Sequence, residues 1–246
     1  VGADDVAARL ADALPTDTPV IRNGSRGLFW LEPLIEVERN GERLGFGPVT
    51  VEDVDDIIEA GFPSSGHPLA LGPVEKIPQL ADQQRLIFAR CGLDDPLDLA
   101  AYQAGGGLAG LSRARALAPD MIVEAVKTSG LRGRGGAGFP AGIKWETAAK
   151  ATGDATYLCC NADEGDSGTY ADRLLMEGDP FTLIEGMCIA ARAIGATRGL
   201  VYLRSEYPDA IRTLKAAIRI WREAGLFQGL SDGDGFDIEV RTGAGA

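Results

Sequence analysis

The run Gly133-Arg134-Gly135-Gly136-Ala137-Gly138-Phe139-Pro140 sets four glycines within six residues, and Arg132, Arg134 and Lys144 bring positive charge to the same stretch. Glycine has no Cβ and tolerates positive φ, so such a loop lets backbone N–H groups approach a flat or anionic ligand. A helix expected over 143–150 starts just beyond, where its positive end can face a phosphate. Phe139 lies at the loop tip, placed to stack on a nucleotide base or a nicotinamide. The loop fits G-x-G-x-x-G, but a Rossmann loop follows a strand, and the pattern here predicts a helix ending near Ser129. The alternative is a flexible hinge with scattered charge, in a chain that holds 33 glycines.

A second constellation is Cys160-Asn161-Ala162-Asp163-Glu164-Gly165-Asp166-Ser167-Gly168. It closes a buried-looking strand expected over 156–160, and strand ends of α/β sheets are where ligand groups are placed. Asn161 offers both donor and acceptor, whereas Asp163, Glu164 and Asp166 offer acceptors. These carboxylates suit a divalent metal, ribose or ribityl hydroxyls, or solvent alone; the absence of nearby histidine and the presence of cations argue against the metal. His67, between Gly66 and Pro68, is the single histidine. Ser-His-Asp, Cys-His and His-ligated metal chemistry each need a positioned imidazole and are disfavoured. Cys91, Cys159, Cys160 and Cys188 have no C-x-x-C spacing. They read as reduced, buried thiols, and this stretch alone is expected to hold no iron–sulfur cluster. No side chain is assigned as catalytic and no metal site is expected; the chemistry must come from a cofactor or from carboxylates.

The elements that must position these groups read as two domains. Residues 1–14 predict an amphipathic helix, followed by strands over 19–22, 27–30 and 33–38. Asn40-Gly41 marks a hairpin turn with a return strand over 42–46. Thr50, with Asp53 three residues on, begins a helix that ends the first domain near Gly61. Residues 62–110 read as a connector rich in proline and glycine, with helices near 79–90 and 97–102. From 111 onward, helices alternate with strands: helix from Pro119 to Ser129, strand 156–160, helices 171–177 and 180–194, strand 198–203, helix 208–224 and strand 236–240. That order predicts a largely parallel α/β sheet. Arg212, Lys215, Arg219 and Arg222 on helix 208–224 read as a solvated basic face. The chain has 246 residues, 45% hydrophobic and 24% charged, with a net charge of −12. An acidic field repels nucleic acid, and no apolar run approaches the roughly 18 residues of a membrane helix. The N-terminus has neither the basic nor the apolar region of a signal peptide. Without an initiator Met the chain is expected to begin inside a longer product, and a cytoplasmic location follows from the reduced thiols.

The ordered set Gly130-Leu131-Arg132-Gly133-Arg134-Gly135-Gly136-Ala137-Gly138-Phe139-Pro140, Gly142-Ile143-Lys144-Trp145, Cys160-Asn161-Ala162-Asp163-Glu164, Asp172-Arg173, Glu185-Gly186-Met187, Tyr202-Leu203-Arg204, Glu206-Tyr207 and Gly243-Ala244-Gly245-Ala246 resembles the flavoprotein subunit of respiratory complex I and its relatives. The resemblance implies an α/β FMN-binding domain over 111–246, not a standard Rossmann fold, with NAD(H) stacked on the exposed flavin face. It implies that Gly133, Arg134, Gly135, Gly136, Ala137, Gly138 and Lys144 hold FMN, with Lys144 near its phosphate. Asn161, Asp163 and Glu164 then take the isoalloxazine and ribityl groups, and Phe139 stacks on the adenine. Asp166 stands where relatives often carry Glu near the nicotinamide, and Thr147 where some place another aromatic. The family's Tyr and Cys-Gly-Glu-Glu-type segment and its [4Fe–4S] cysteines are expected on a C-terminal part absent from this sequence.

Residues 33–54 resemble the later half of a thioredoxin-like ferredoxin, in which two cysteines of a [2Fe–2S] site precede the Pro-containing strand. The corresponding stretch, 25–32, has no Cys, which implies a small degenerate thioredoxin-like domain over 1–61. A fused degenerate module and a Pro-rich connector resemble the β (diaphorase) subunit of soluble NAD-dependent molybdenum or tungsten formate dehydrogenases. The implied partners are a [2Fe–2S] thioredoxin-like γ-type subunit and a cluster-carrying Mo/W catalytic subunit. The runner-up is the diaphorase of an NAD-reducing hydrogenase or of complex I. A non-catalytic assembly module is the alternative of another class; a Mg²⁺-dependent phosphotransferase lacks a Walker or kinase pattern.

Overall fold

The computed structural model describes residues 2–64, 66–153, 155–166, 168–230 and 235–245. Val1, Ser65, Ser167 and Ala246, each part of a segment read above, lie outside the described residues. The chain forms two compact units, Val1–Gly92 and Leu93–Ala246. The division falls inside the stretch 62–110 expected as a connector.

In the first unit, α1 (Ala3–Ala13) turns Val6 and Leu10 inward onto α2 (Asp53–Glu59). Strands β1 (Ile35–Arg39) and β2 (Glu42–Phe46) form the expected antiparallel hairpin, and Asn40 and Gly41 take φ of 53° and 77° at its turn. The Asp53 carboxylate receives the Thr50 amide and hydroxyl, both at 2.7 Å, which fixes the entry to α2 as the spacing predicts. A third strand, β3 (Ala70–Pro73), pairs antiparallel with β2.

Three local readings are corrected here. Residues 19–22 form no strand, and Phe29–Leu31 is a single 3₁₀ turn. In that segment Leu28 is buried while Phe29 and Trp30 are exposed, so the period-two burial of a strand is absent. The chain is pinned instead by Arg26, whose guanidinium is drawn inside to Glu36 at 2.7 and 3.0 Å and to Glu75 at 3.0 Å. The helix expected over 79–90 shortens to α3 (Pro78–Ala81). Only Leu80 finds a core there, whereas Leu86 and Ile87 are exposed, and one apolar residue cannot hold a longer helix.

The second unit opens with α4 (Leu99–Ala104), capped by Asp98, and α5 (Ala109–Ala116). Next, α6 (Pro119–Ser129) starts on proline and stops on left-handed Gly130 at φ 69°. The elements α7 (Ala141–Ala149), β4 (Tyr157–Ala162), α8 (Ala171–Gly178), α9 (Pro180–Ile194), β5 (Arg198–Arg204), α10 (Pro208–Glu223) and β6 (Asp237–Gly243) follow. The sheet is parallel with order β4-β5-β6, and Cys160, Val201 and Val240 stand side by side. Helices α9 and α10 cover one face through Phe181, Ile184, Leu214 and Trp221. The Trp221 ring lies 6.0 to 6.4 Å from those of Phe181, Tyr102 and Phe227.

The opposite face is open among the described residues, exposing Tyr157, Cys159, Asn161, Tyr202 and Arg241. Strand β4 is therefore half-buried rather than buried, and Cys159 is exposed, because its position in the pleat points away from α9. The basic stripe of α10 is solvated as expected. Arg212 pairs with Asp209 at 2.8 Å and Arg222 with Asp237 at 2.8 Å.

Glu185, buried in the middle of α9, accepts hydrogen bonds from the Leu108 and Leu111 amides, both at 2.8 Å, and from the Tyr102 hydroxyl. The carboxylate thus caps the start of α5 and ties it to the helix at the centre of the core. Glu185→Ala removes the shared acceptor of the Leu108 and Leu111 amides and the Tyr102 hydroxyl, and a loss of about 3 kcal/mol is expected. Urea unfolding followed by tryptophan fluorescence measures it; a loss no larger than that of the exposed Glu124→Ala would show that the contact is dispensable.

Candidate functional site

The glycine loop is an arch closed at its neck. The Gly133 amide donates to the Phe139 carbonyl at 2.8 Å, Ala141 donates to Leu131 at 2.8 Å, and a bridge joins Arg132 to Pro140. Arg132 Nε reaches across to the Gly138 carbonyl at 2.6 Å. Helix α6 precedes the arch and no strand does, so the expectation of a non-Rossmann loop holds. Gly136 and Gly138 take φ of 96° and 60°, which other residues adopt only with strain. A Cβ built at Gly135 or Gly136 meets nothing within 4 Å, so the space above the arch is free.

Helix α7 leaves the arch with Pro140 at its cap and no side chain closing its first amides. The Ala141 amide is taken by the Leu131 carbonyl, so those of Gly142 and Ile143 are the ones that no cap engages at the positive helix end. Its placement depends on Gly142, where a Cβ would stand 2.6 Å from the Lys127 amide nitrogen, so α6 and α7 approach closely on either side of the arch. Arg134 and Lys144 are exposed and make no ion pair among the described residues. Phe139 is exposed at 54%. An uncovered backbone cradle, an open helix start and unpaired cations form a donor set suited to a phosphate with a flat group beside it.

At the carboxyl ends of β4 and β5, Cys159, Cys160, Asn161, Asp163 and Tyr202 line a shallow cavity of about 360 Å³. That lies toward the small end of ligand pockets. Asn161 Oδ1 accepts the Asp163 amide at 3.0 Å. This turn leaves the Asn161 amide hydrogens without a partner among the described residues. Asp166 is exposed in the loop that follows. Both the arch, through α6 and α7, and the strand end, through β4, pack on α9.

Glu164 is engaged differently from Asn161 and Asp163. It holds φ 45°, and its carboxylate accepts the Asp172 and Arg173 amides at 2.6 and 3.2 Å, closing the start of α8. Its carbonyl accepts Arg204 Nη1 at 2.8 Å. Burial, and then its hydrogen bond to Glu164, raise the Tyr207 phenol; burial, and then the Glu164 charge, raise Asp172. Arg204, Tyr207 and Arg173 thus surround the strand end, although sequence reasoning gave none of them a role. Their only signal was membership of the ordered motifs, since the contacts depend on how β5 lies against its neighbours.

The open glycine arch and the polar strand end lie in one α/β domain. Residues 126–246 match the model of the Nuo51 FMN-binding domain, and this part of the chain belongs to that complex I flavoprotein family. The chain is 50% identical over 67% of its length to the NADP-reducing hydrogenase subunit HndC of Solidesulfovibrio fructosivorans, covering 34% of that protein. It is 52% identical over 60% of its length to the F 2 subunit of NADH-quinone oxidoreductase from Rhizobium meliloti (strain 1021), covering 36%. An NADH-quinone oxidoreductase subunit of Escherichia coli (strain K12) is 49% identical over 61% of the chain, with 35% of the relative covered. Among solved structures, NAD⁺-reducing [NiFe]-hydrogenase in the H₂-reduced state aligns over 99% of the chain and 40% of its own, at 29% identity and a TM-score of 0.53. The chain therefore spans about a third of the curated relatives it matches. No described helix is long and apolar enough to cross a membrane.

The open face is checkable by its thiols. Burial raises Cys160 to about 11 and Cys188 to about 12, while Cys159 stands exposed. At about pH 8 the two raised thiols stay protonated and unreactive. Cys91 is buried as well, so titration with a disulfide reagent should show one fast thiol, removed by Cys159→Ser; a wild type with no fast thiol would mean that the outer face of β4 is covered.

Proposed function

We propose that this chain is the FMN- and NAD(H)-binding part of a diaphorase subunit that moves electrons between NAD(H) and iron–sulfur centres. The observation that carries the proposal is the open arch leading into an uncapped helix with unpaired Arg134 and Lys144, in a chain of net charge −12. When bound, FMN supplies hydride exchange with a nicotinamide ring and single-electron exchange with a cluster.

The chain's own residues bind and orient. Lys144, Arg134 and the first amides of α7 hold the phosphate. Gly133, Gly135, Gly136, Ala137 and Gly138 bring backbone close to the flavin while leaving one face uncovered for the nicotinamide, since hydride transfer needs close ring contact. Asn161 and Asp163 hydrogen-bond the isoalloxazine and ribityl groups. Glu164 serves them through the loop it closes, and Asp166 stands toward the nicotinamide. Phe139 stacks on the adenine. No general acid or base is assigned.

Partners in the proposal are a [2Fe–2S] thioredoxin-like subunit and a cluster-carrying catalytic subunit, in the cytoplasm. The finer proposal, formate as electron donor through a Mo/W subunit, is supported by the resemblance of residues 33–54 and the Pro-rich stretch after them. The names of the relatives above favour the runner-ups, hydrogen or a quinone-linked complex, and NAD⁺ reduction assayed with formate against hydrogen separates these donors.

An anaerobic absorbance spectrum of purified protein reconstituted with FMN, titrated with NADH, tests the central claim. Flavin bands that bleach on adding NADH are expected. Lys144→Ala should weaken FMN binding by about tenfold or more, the scale of one lost charge-assisted contact. Phe139→Ala should raise the KM for NADH by about tenfold and leave FMN bound. A protein that takes up neither FMN nor NADH defeats the proposal.

A further inference from the structure

Arg204 ends β5, the central strand of the β4-β5-β6 sheet, and so neighbours the exits of both flanking strands. On the β4 side its Nη1 holds the Glu164 carbonyl at 2.8 Å. On the β6 side its Nη2 lies 3.4 Å from Glu206 Oε1, and the same oxygen accepts the Gly245 amide at 3.2 Å. The Arg204 guanidinium also lies 5.1 Å from the centre of the Tyr207 ring, at the start of α10.

The glycines after β6 match this arrangement. Tyr202 and Arg204 are two residues apart and share one face of β5. A Cβ on Gly243 would stand 2.6 Å from Tyr202 Cζ, and one on Gly245 would stand 2.8 Å from Arg204 Nη2 and 2.9 Å from Glu206 Oε1. Alternate glycines therefore lie beneath alternate β5 side chains. Glu164, for its part, is a non-glycine residue at φ 45°, a conformation that persists only where surroundings over-determine it. Its carbonyl is fixed by Arg204 and its carboxylate by the first amides of α8.

We infer that Arg204 is a positioning residue that sets the loop after β4, which carries Asp163 and Asp166, and the Gly243–Gly245 exit of β6 in register with each other. Its bearing on the flavin rests on the function proposed above. Only a planar, multi-donor cation reaches a carbonyl and a carboxylate on opposite sides at once; a lysine ammonium on a single stem serves one of them.

The test compares the wild type with Arg204→Ala, Arg204→Lys and Gly245→Ala, with the exposed Arg212→Ala as control. Gly245→Ala leaves Arg204 in the chain but displaces its guanidinium, so the two routes check each other. Hydrogen exchange without flavin should accelerate by about tenfold or more in 162–173 and 243–245 in Arg204→Ala and Gly245→Ala, while α9 and the melting temperature hold. Arg204→Lys should restore protection on one side only, and the Kd for FMN should rise by about tenfold or more in Arg204→Ala. Unchanged exchange at both loops overturns the inference, as does a uniform rise through the whole second unit, which marks an ordinary stabilising residue. If the loops respond but the wild type takes up no FMN, the positioning role stands and the flavin reading of the site falls.

Discussion

The second unit depends on what is buried around α9. Its central Glu185 is a charge in an apolar core, tolerable because the Leu108 and Leu111 amides and the Tyr102 hydroxyl all donate to it. That carboxylate fastens the incoming segment, and the apolar residues of α9 then receive α6 and α7 on one side and the sheet on the other. The glycine arch has no core of its own. It is held by the hydrogen bonds across its neck and where its two flanking helices meet, which Gly142 lets them do.

The site is built by withholding protection. Carboxylates close the helix starts at α4, through Asp98, and at α8, through Glu164, whereas α6, α9 and α10, like α7, begin on proline-containing turns with no side-chain cap. At α7 no side chain caps the first turn, the backbone at Gly135 and Gly136 stands uncovered, and Arg134 and Lys144 make no ion pair among the described residues. In a chain with 36 acidic and 24 basic residues, Arg134 in the arch and Lys144 in the first turn of α7, neither in an ion pair among the described residues, make a local reversal of sign. An anion is drawn to such a place by short-range contacts, against the repulsion of the whole molecule.

The strand end follows the opposite principle. Glu164, Arg204, Glu206, Tyr207 and the first amides of α8 hold one another, leaving Asn161 and Asp163 as the groups that line the cavity. Of a run of polar residues that look alike in one dimension, some thus close neighbouring elements and others line the cavity. The distinction follows from which backbone groups lie within reach: for the Glu164 carboxylate, amides 8 and 9 residues further along the chain, and for the Arg204 guanidinium, a carbonyl 40 residues back.

The sequence alone determined the order and kind of elements in the second unit, since periodicity, proline starts and glycine stops are local and strong there. The helices over Pro119–Ser129 and Pro180–Ile194 begin and end at the positions their capping residues announce. The Asn40-Gly41 hairpin and the non-Rossmann setting of the glycine loop were legible for the same reason, whereas the cap expected at Thr50 falls on Glu52, Thr50 instead donating to Asp53. Tertiary structure decided the rest. The segments 19–22, 27–30 and 79–90 lost their expected elements because Arg26 and too sparse an apolar pattern overrode local propensity. The exposure of Cys159 follows from which face α9 covers. The partners of Glu164 and the meaning of Gly243 and Gly245 come from the parallel register of β4, β5 and β6, which sets side by side residues that the chain keeps far apart.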